Sequence, residues 1–273
     1  MPVKITPENF AAFPPRRPLE SHKGNFGHLA IIAGSLGFHG AAVLAARGAQ
    51  RAQPGLVTLL TQEDIFVPVA SQLQAAMVHP WSSKKNLPDS GSAILIGPGL
   101  AAKNLSTDFK KSLIELWKNS PLPIIADASA LDWLPEKKIP ENNLRVITPH
   151  SGEAARMLKI SSTEIQTNRE KSLRQLSRRY GNCFVVLKGH QTLIGRSKGK
   201  IFLNTSGNPT LAQGGSGDLL SGYLSGLLAQ PALQNDPLKT ICYAVWQHGA
   251  AADRLSLKKP NWTIADLAEG LGL

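Results

Sequence analysis

The sequence predicts an α/β fold in which helices flank a mostly parallel central sheet and a β-hairpin is added at the sheet edge. Three observations carry this. Six apolar runs of strand length recur along the chain. Helix-length amphipathic segments separate most of them, the alternation that builds a parallel sheet. After the last run the spacing changes to two short apolar stretches around a turn, which reads as a hairpin.

In chain order, the opening MPVKITPENFAAFPPRRPLE has no continuous apolar core, and its FPPRRP reads as a surface connection. HLAIIAGS (28–35) is the first strand, and GAAVLAARGAQRA (40–52) the first helix. GLVTLLT (55–61) and SAILIGPG (92–99) are the next two strands; STDFKKSLIELWKNS (106–120) is amphipathic at helical spacing. LPIIADAS (122–129) and LRVITPH (144–150) follow as strands, SGEAARMLKI (151–160) as a helix, and STEIQTNREKSLRQLSRRYG (162–181) as one long helix. CFVVLKGH (183–190) is the sixth strand. QTLIGR, the turn SKGK and IFLNTSG form the expected hairpin (191–207), and helices complete the chain. With no internal repeat or long linker, a single domain over residues 1–273 is expected.

A chain that is 42% hydrophobic and 18% charged is globular rather than disordered or fibrous. Lys and Arg outnumber Asp and Glu 30 to 19, and the resulting +11 favours anionic partners such as nucleotides, nucleic acid or acidic membrane surfaces, among which charge alone does not choose. The basic segments NREKSLRQLSRRY, RSKGK and SLKKP lack aromatic interleaving or a nucleic-acid motif, so they read as a solvated face and no nucleic-acid partner is expected. Cys183 and Cys242 each lie in an apolar run, as reduced core cysteines would. The longest apolar stretch is interrupted by Gly, His and Arg, which predicts a cytoplasmic protein with no membrane partner.

In open α/β sheets ligands bind beyond the carboxyl ends of the strands. Five unusual segments fall at predicted strand ends: GSLGFHGAA, GPGL, ADASAL, TPHSGE and KGHQT. A sixth, QGGSGD, stands directly before an apolar helix. There, Gly214, Gly215 and Gly217 allow backbone N–H groups to close on a phosphate at the helix N-terminus. Asp218 is either a catalytic carboxylate or an ordinary first-turn acid, and these residues alone leave both readings open. There is no Walker A sequence.

In order, KGNFGHLAIIAGS, GAAVLAARGAQRAQPGLV, IGPGL, TPHSGE, VVLKGHQT and NTSGNPTLAQGGSGDLLSG resemble the ADP/ATP-dependent NAD(P)H-hydrate dehydratases, a branch of the ribokinase-like fold. The resemblance implies a stand-alone enzyme, without the fused epimerase many relatives carry. It would return NADHX and NADPHX, hydrated forms of the reduced cofactors, to NADH and NADPH. ADP, or ATP, would phosphorylate the hydrate hydroxyl, and phosphate would then be eliminated, with Mg²⁺ as cofactor. It also implies a separate epimerase as pathway partner and a homo-oligomer, with a tetramer one form.

By the same resemblance Asp218 acts on the attacking hydroxyl, while Gly215, Ser216 and Gly217 face the phosphoryl group. Ala41, Gly99, His150 and Asp218 meet the hydrate; Lys188, Gly189, His190, Gln191, Thr192 and Gly217 meet the nucleotide. From the residues alone, the favoured reading of His150 is an ordinary N-cap histidine, with Ser151 and Glu153 serving the helix start, and it is the resemblance that turns it toward the hydrate. The chain departs from the family pattern in two places: Ser129 stands at the second acid of D-A-D-A-L, and Ser151 where proline is common. Asp127 is either a strand-end turn acid or an organiser of Mg²⁺ through water, and no metal ligand is assigned. Two rivals remain: a kinase of the same fold acting on hydroxymethylpyrimidine, a thiazole alcohol or a sugar, and a non-enzymatic nucleotide- or nucleic-acid-binding protein.

Overall fold

A computed structural model describes residues 1–81, 87–136, 139–140 and 143–272. All six expected strands form: β2 (His28–Ile32), β3 (Leu56–Thr61), β5 (Ala93–Ile96), β6 (Ile124–Ala126), β7 (Arg145–Ile147) and β8 (Phe184–Leu187). The expected hairpin is β9 (Leu193–Gly195) and β10 (Phe202–Leu203), with β9 antiparallel to both β10 and β8. Two strands escape the sequence pattern, β1 (Val3–Lys4) and β4 (Met77–Pro80). They have only two and four residues, and exposed positions alternate along β4, so neither carries a buried apolar run. The ten strands lie in the order β1-β10-β9-β8-β7-β6-β5-β2-β3-β4. The hairpin is therefore not the outermost element: β1 pairs in parallel with β10 and covers it.

The sheet is buried on both faces, so its central strands read as continuous apolar runs. Along β2, Leu29 and Ile31 join one core while Ala30 and Ile32 join the other. The first core is closed by α1 (His39–Arg51), the short α2 (Phe66–Ala70), α7 (Ser216–Leu228), α8 (Pro237–Lys258) and α9 (Ile264–Gly270). The second is closed by α3 (Thr107–Asn119), α4 (Ser151–Leu158), α5 (Ser162–Thr167) and α6 (Arg169–Arg179). The segment read as one helix over 162–181 is thus two. Asn168 lies between them at φ −123°, ψ 45°, outside helical values, and an Asn side chain competes with helical hydrogen bonding.

Helices α1 and α7 pack unusually closely, which explains their small residues. A Cβ at Gly222 would lie 1.9 Å from the Ala45 carbonyl oxygen, and one at Gly48 would lie 2.1 Å from that of Leu219. The pairing fixes the start of α7 against α1. Cys183 and Cys242 are buried free thiols whose pKa burial pushes up to about 12, in keeping with inert core cysteines. Among the described residues, no helix is long and apolar enough to cross a membrane.

Candidate active site

The five strand-end segments follow β2, β5, β6, β7 and β8, which are neighbours in the sheet, so one edge gathers them all. Chain order reverses between β2 and β5, the position where open sheets form a ligand crevice. Ser35, fully buried, joins the two loops there. Its hydroxyl donates to the Gly99 carbonyl (2.6 Å) and accepts from the Ala101 and Ala102 N–H groups (3.1 and 3.0 Å). Gly99, at φ +66°, has no room for a side chain: a Cβ would meet the Phe38 carbonyl at 2.4 Å and the Ala41 Cβ at 2.9 Å. Gly99 and Ala41, both expected at the hydrate, therefore touch.

At the next strand ends lies a cluster of charge. Asp127, 1% exposed after β6, accepts from the Thr148 hydroxyl (2.6 Å) and the Lys188 ammonium (2.8 Å). Lys188 also lies 4.0 Å from Glu153. Its own N–H bonds the Pro149 carbonyl at 2.8 Å, joining the end of β8 to the segment that carries His150. Burial opposes the Lys188 charge, but the Asp127 and Glu153 carboxylates outweigh it and raise its pKa. Asp127 is thus engaged by its neighbours. His150 is the N-cap of α4: its Nδ1 accepts from the Gly152 N–H (3.0 Å), while Glu153 accepts from the His150 N–H (2.8 Å). The capping role read from the sequence is present, and it leaves the imidazole exposed at the crevice.

Helix α7 completes the site. Its N-cap, Gly215, is left-handed at φ +92°, and Ser216, Gly217 and Asp218 form its first turn. A Cβ on Gly217 would lie 3.3 Å from the Lys188 Nζ, so the helix end faces the ammonium. The Asp218 pKa is pushed up to about 6, first by burial, then by the Asp127 and Glu153 carboxylates, with Lys188 opposing. A partly buried carboxylate that binds a proton near neutrality, beside an ammonium and a helix N-terminus with no side-chain cap, is equipped to take a proton next to a bound anion.

The residue-by-residue expectations come together unevenly. Asp218, Gly217 and Lys188 converge on one point, with Glu153 and Asp127 behind them; Ala41 and Gly99 meet at the neighbouring crevice. His190, Gln191 and Thr192 lie on the exposed turn after Lys188, with Gln191 left-handed at φ 58°.

Sequence reasoning missed several groups that shape the site. Asp253 of α8 accepts from the Gly207 N–H (2.8 Å) and the Asn208 amide (3.0 Å), anchoring the loop before the glycine turn. A Cβ at Gly249 would come within 2.4 Å of the Ser206 hydroxyl. Buried His248 is hydrogen-bonded to the Ser216 backbone, and burial lowers its pKa to about 4. The only signal for these was a run of small and polar residues, HGAAAD, in an otherwise apolar helix. The basic face was also read too simply, because Arg174 donates to the carbonyls of Arg196, Ser197 and Gly199. Arg169 likewise turns inward, to Leu187 and Gln191.

The family model described as NAD(P)H-hydrate dehydratase matches residues 29–271. The chain belongs to the NAD(P)H-hydrate dehydratase family. The ADP-dependent (S)-NAD(P)H-hydrate dehydratase of Bacillus subtilis is 34% identical over 253 residues, covering 91% of this chain and 88% of that protein. The bifunctional NAD(P)H-hydrate repair enzyme of Coxiella burnetii is 36% identical over 244 residues, which are 88% of this chain but 48% of that protein. The chain thus spans about half the length of such bifunctional relatives. The crystal structure of the Bacillus subtilis ADP/ATP-dependent NAD(P)H-hydrate dehydratase, co-crystallized with ATP/Mg²⁺, superposes with a TM-score of 0.82 at 31% identity, covering 94% of this chain and 91% of that one. The ribokinase-like sheet expected of an NAD(P)H-hydrate dehydratase is the sheet observed.

Proposed function

We propose that this chain is an ADP- or ATP-dependent dehydratase that returns NADHX and NADPHX to NADH and NADPH. The observation that carries the reading is the convergence of Asp218, Lys188 and the N-terminus of α7, which no side chain caps, at the carboxyl edge of the sheet, in a member of this family.

Dehydration must expel a ring hydroxyl, a poor leaving group, and phosphorylation makes it a good one. In the first step the hydroxyl oxygen forms a bond to the terminal phosphorus of the nucleotide, and the bond from that phosphorus to the nucleotide breaks. The hydroxyl proton passes to the Asp218 carboxylate. The N–H groups at Gly215 and Gly217 face the phosphoryl oxygens as their charge shifts, while the Ser216 N–H, expected there too, donates to the Gln213 carbonyl (3.3 Å) and leaves the Ser216 hydroxyl to serve the site. In the second step the carbon–oxygen bond breaks and its electron pair leaves with phosphate. The neighbouring ring carbon loses a proton and the ring double bond is restored. Ala41, Gly99 and His150 border the hydrate; residues 188–192 and Gly217 border the nucleotide.

The residues fit the phosphates of a nucleotide, because the glycine at 217 brings the start of α7 up to the Lys188 ammonium with no Cβ between them. Among the described residues no group of three His, Cys, Asp or Glu is placed to hold a metal ion. Mg²⁺ fits here as an ion carried by the nucleotide phosphates, whose charge it neutralises. A homo-oligomer in the cytoplasm, a single domain and a separate epimerase complete the proposal.

The test is to mix the protein with NADHX, Mg²⁺ and either ADP or ATP and follow the near-ultraviolet absorbance of the reduced nicotinamide. A nucleotide-dependent rise with release of phosphate is expected. A stable phosphorylated alcohol formed from a small-molecule substrate, with no such rise, would overturn the dehydratase in favour of the kinase rival.

A further inference from the structure

Arg169 opens α6 immediately after the break at Asn168 and is half-buried. Its Nη2 donates to the Leu187 carbonyl (3.0 Å) and the Gln191 carbonyl (3.4 Å), the two ends of the turn that follows β8. Its Nη1 donates to Gln166 Oε1 (3.2 Å), and Gln166 in turn donates to the Ser151 hydroxyl at 2.6 Å. Ser151 is the first residue of α4, so the relay runs from the start of α6 to the start of the helix that His150 caps.

Between its two anchor carbonyls the turn contains Gly189 at φ +141°, where a Cβ would approach Arg169 Nη1 to 3.0 Å. The glycine is thus required twice, by its backbone angle and by the guanidinium packed against it. Among the described residues no carboxylate forms an ion pair with Arg169, in contrast to Arg156 and Arg179, which pair with Asp132 and Glu136. A guanidinium bound only to neutral oxygens keeps its full charge available to an anion.

We propose that Arg169 positions the nucleotide. It holds the turn of residues 188–192 between the Leu187 and Gln191 carbonyls and gives that turn a positive charge that no side chain neutralises. The proposal rests on the nucleotide-dependent reading above and adds a residue to it. Arg169 acts through the turn, so it is a positioning residue rather than a catalytic one.

The experiment is calorimetric titration of ADP into the wild-type chain and into Arg169→Met, Arg169→Lys and Arg178→Met, with Michaelis constants measured for both substrates. Arg178 is an exposed arginine on the same helix, and its replacement controls for loss of charge alone. Arg169→Met is expected to bind ADP about tenfold more weakly, through the loss of charge-assisted hydrogen bonds. Arg169→Lys should fall between Met and wild type because an ammonium keeps the charge but has no second nitrogen to reach Gln166 as Nη1 does, and Arg178→Met should match wild type. The Michaelis constant should rise for the nucleotide while that for the hydrate stays within about twofold.

ADP binding by Arg169→Met within about twofold of wild type would overturn the proposal, as would equal rises in both Michaelis constants together with a lower melting temperature. If the wild-type chain binds ADP but does not turn over the hydrate, the dehydratase reading fails while the titrations still decide the role of Arg169. If wild type binds neither ADP nor ATP, both fall.

Discussion

Replacing Asp218 with asparagine keeps size and shape, removes the proton acceptor and relieves a buried charge, so activity and stability should move in opposite directions. The Asp218 pKa is about 6 against an ordinary 3.8, because burial and the Asp127 and Glu153 carboxylates disfavour its ionised form. At about 1.4 kcal/mol for each tenfold change in proton affinity, ionising Asp218 costs the folded state about 2–3 kcal/mol above pH 6. Below the unfolded pKa the carboxyl is protonated in both states and costs nothing. Between the two pKa values the unfolded chain ionises while the folded chain holds its proton, so the wild type loses stability as pH rises through this window. The asparagine side chain does not titrate, so the Asp218→Asn variant should match wild type near pH 4 and exceed it by about 4–8 °C in melting temperature near pH 8. Turnover should fall about 100-fold or more with nucleotide binding retained, and wild-type kcat/KM should climb through about pH 6 because the carboxylate is the working form. The assays are the nicotinamide absorbance rate and thermal unfolding across this pH range. A stability difference that does not change with pH, or turnover within about tenfold of wild type, would refute the reasoning.

Lys188→Met leaves Asp127 buried with only the Thr148 hydroxyl, so urea unfolding should show a loss of about 3 kcal/mol, largely recovered by adding Asp127→Asn. The same variant removes the cation that lowers the Asp218 pKa, so the rising limb of kcat/KM should shift above pH 6. Gly222→Ala should cost about 2–4 kcal/mol in a denaturant titration, because its Cβ meets the α1 backbone at 1.9 Å. Gly214→Ala has open space and should stay within about 0.5 kcal/mol of wild type. His150→Ala should raise the Michaelis constant for the hydrate and leave that for the nucleotide, while loss of the N-cap costs about 1 kcal/mol in thermal unfolding.

The parallel sheet was legible because its central strands are buried on both faces and appear as unbroken apolar runs such as AILI at 93–96. The edge strands β1 and β4 were not, because an edge strand with exposed positions has no such run to show. The site segments were legible from their order along the chain, since the sheet topology brings successive strand ends to one edge. Their pairing was not. Nothing in the sequence tells that Lys188 reaches Asp127, 61 positions away, because that contact depends on β7 lying between β6 and β8. Asp253 and His248 were hidden for the same reason: a helix about 30 residues and more after the glycine turn folds back behind it.

The same helical position gives opposite chemistry at two places in this chain, and the difference shows what makes Asp218 reactive. Asp218 and Asp266 are each third in their helix, α7 and α9, where the helix dipole favours a carboxylate. Asp266 accepts from the Lys259 ammonium and from the Thr263 hydroxyl and N–H, and its pKa drops to about 2. Glu153, third in α4, is similarly occupied by the His150 N–H of its capping box. The Asp218 carboxylate takes no hydrogen bond from the described residues, and its N-cap, Gly215, has no side chain with which to cap the turn. The Ser216 N–H turns back to the Gln213 carbonyl (3.3 Å), but no side chain caps the N–H groups of Gly217 and Asp218, and the carboxylate stays free for a proton. A side chain at position 215 could not cap the turn as Thr263 caps α9, because Gly215 is left-handed at φ +92° and a Cβ there would meet Leu44 Cδ1 at 2.3 Å, so the glycine keeps the helix start clear for phosphate.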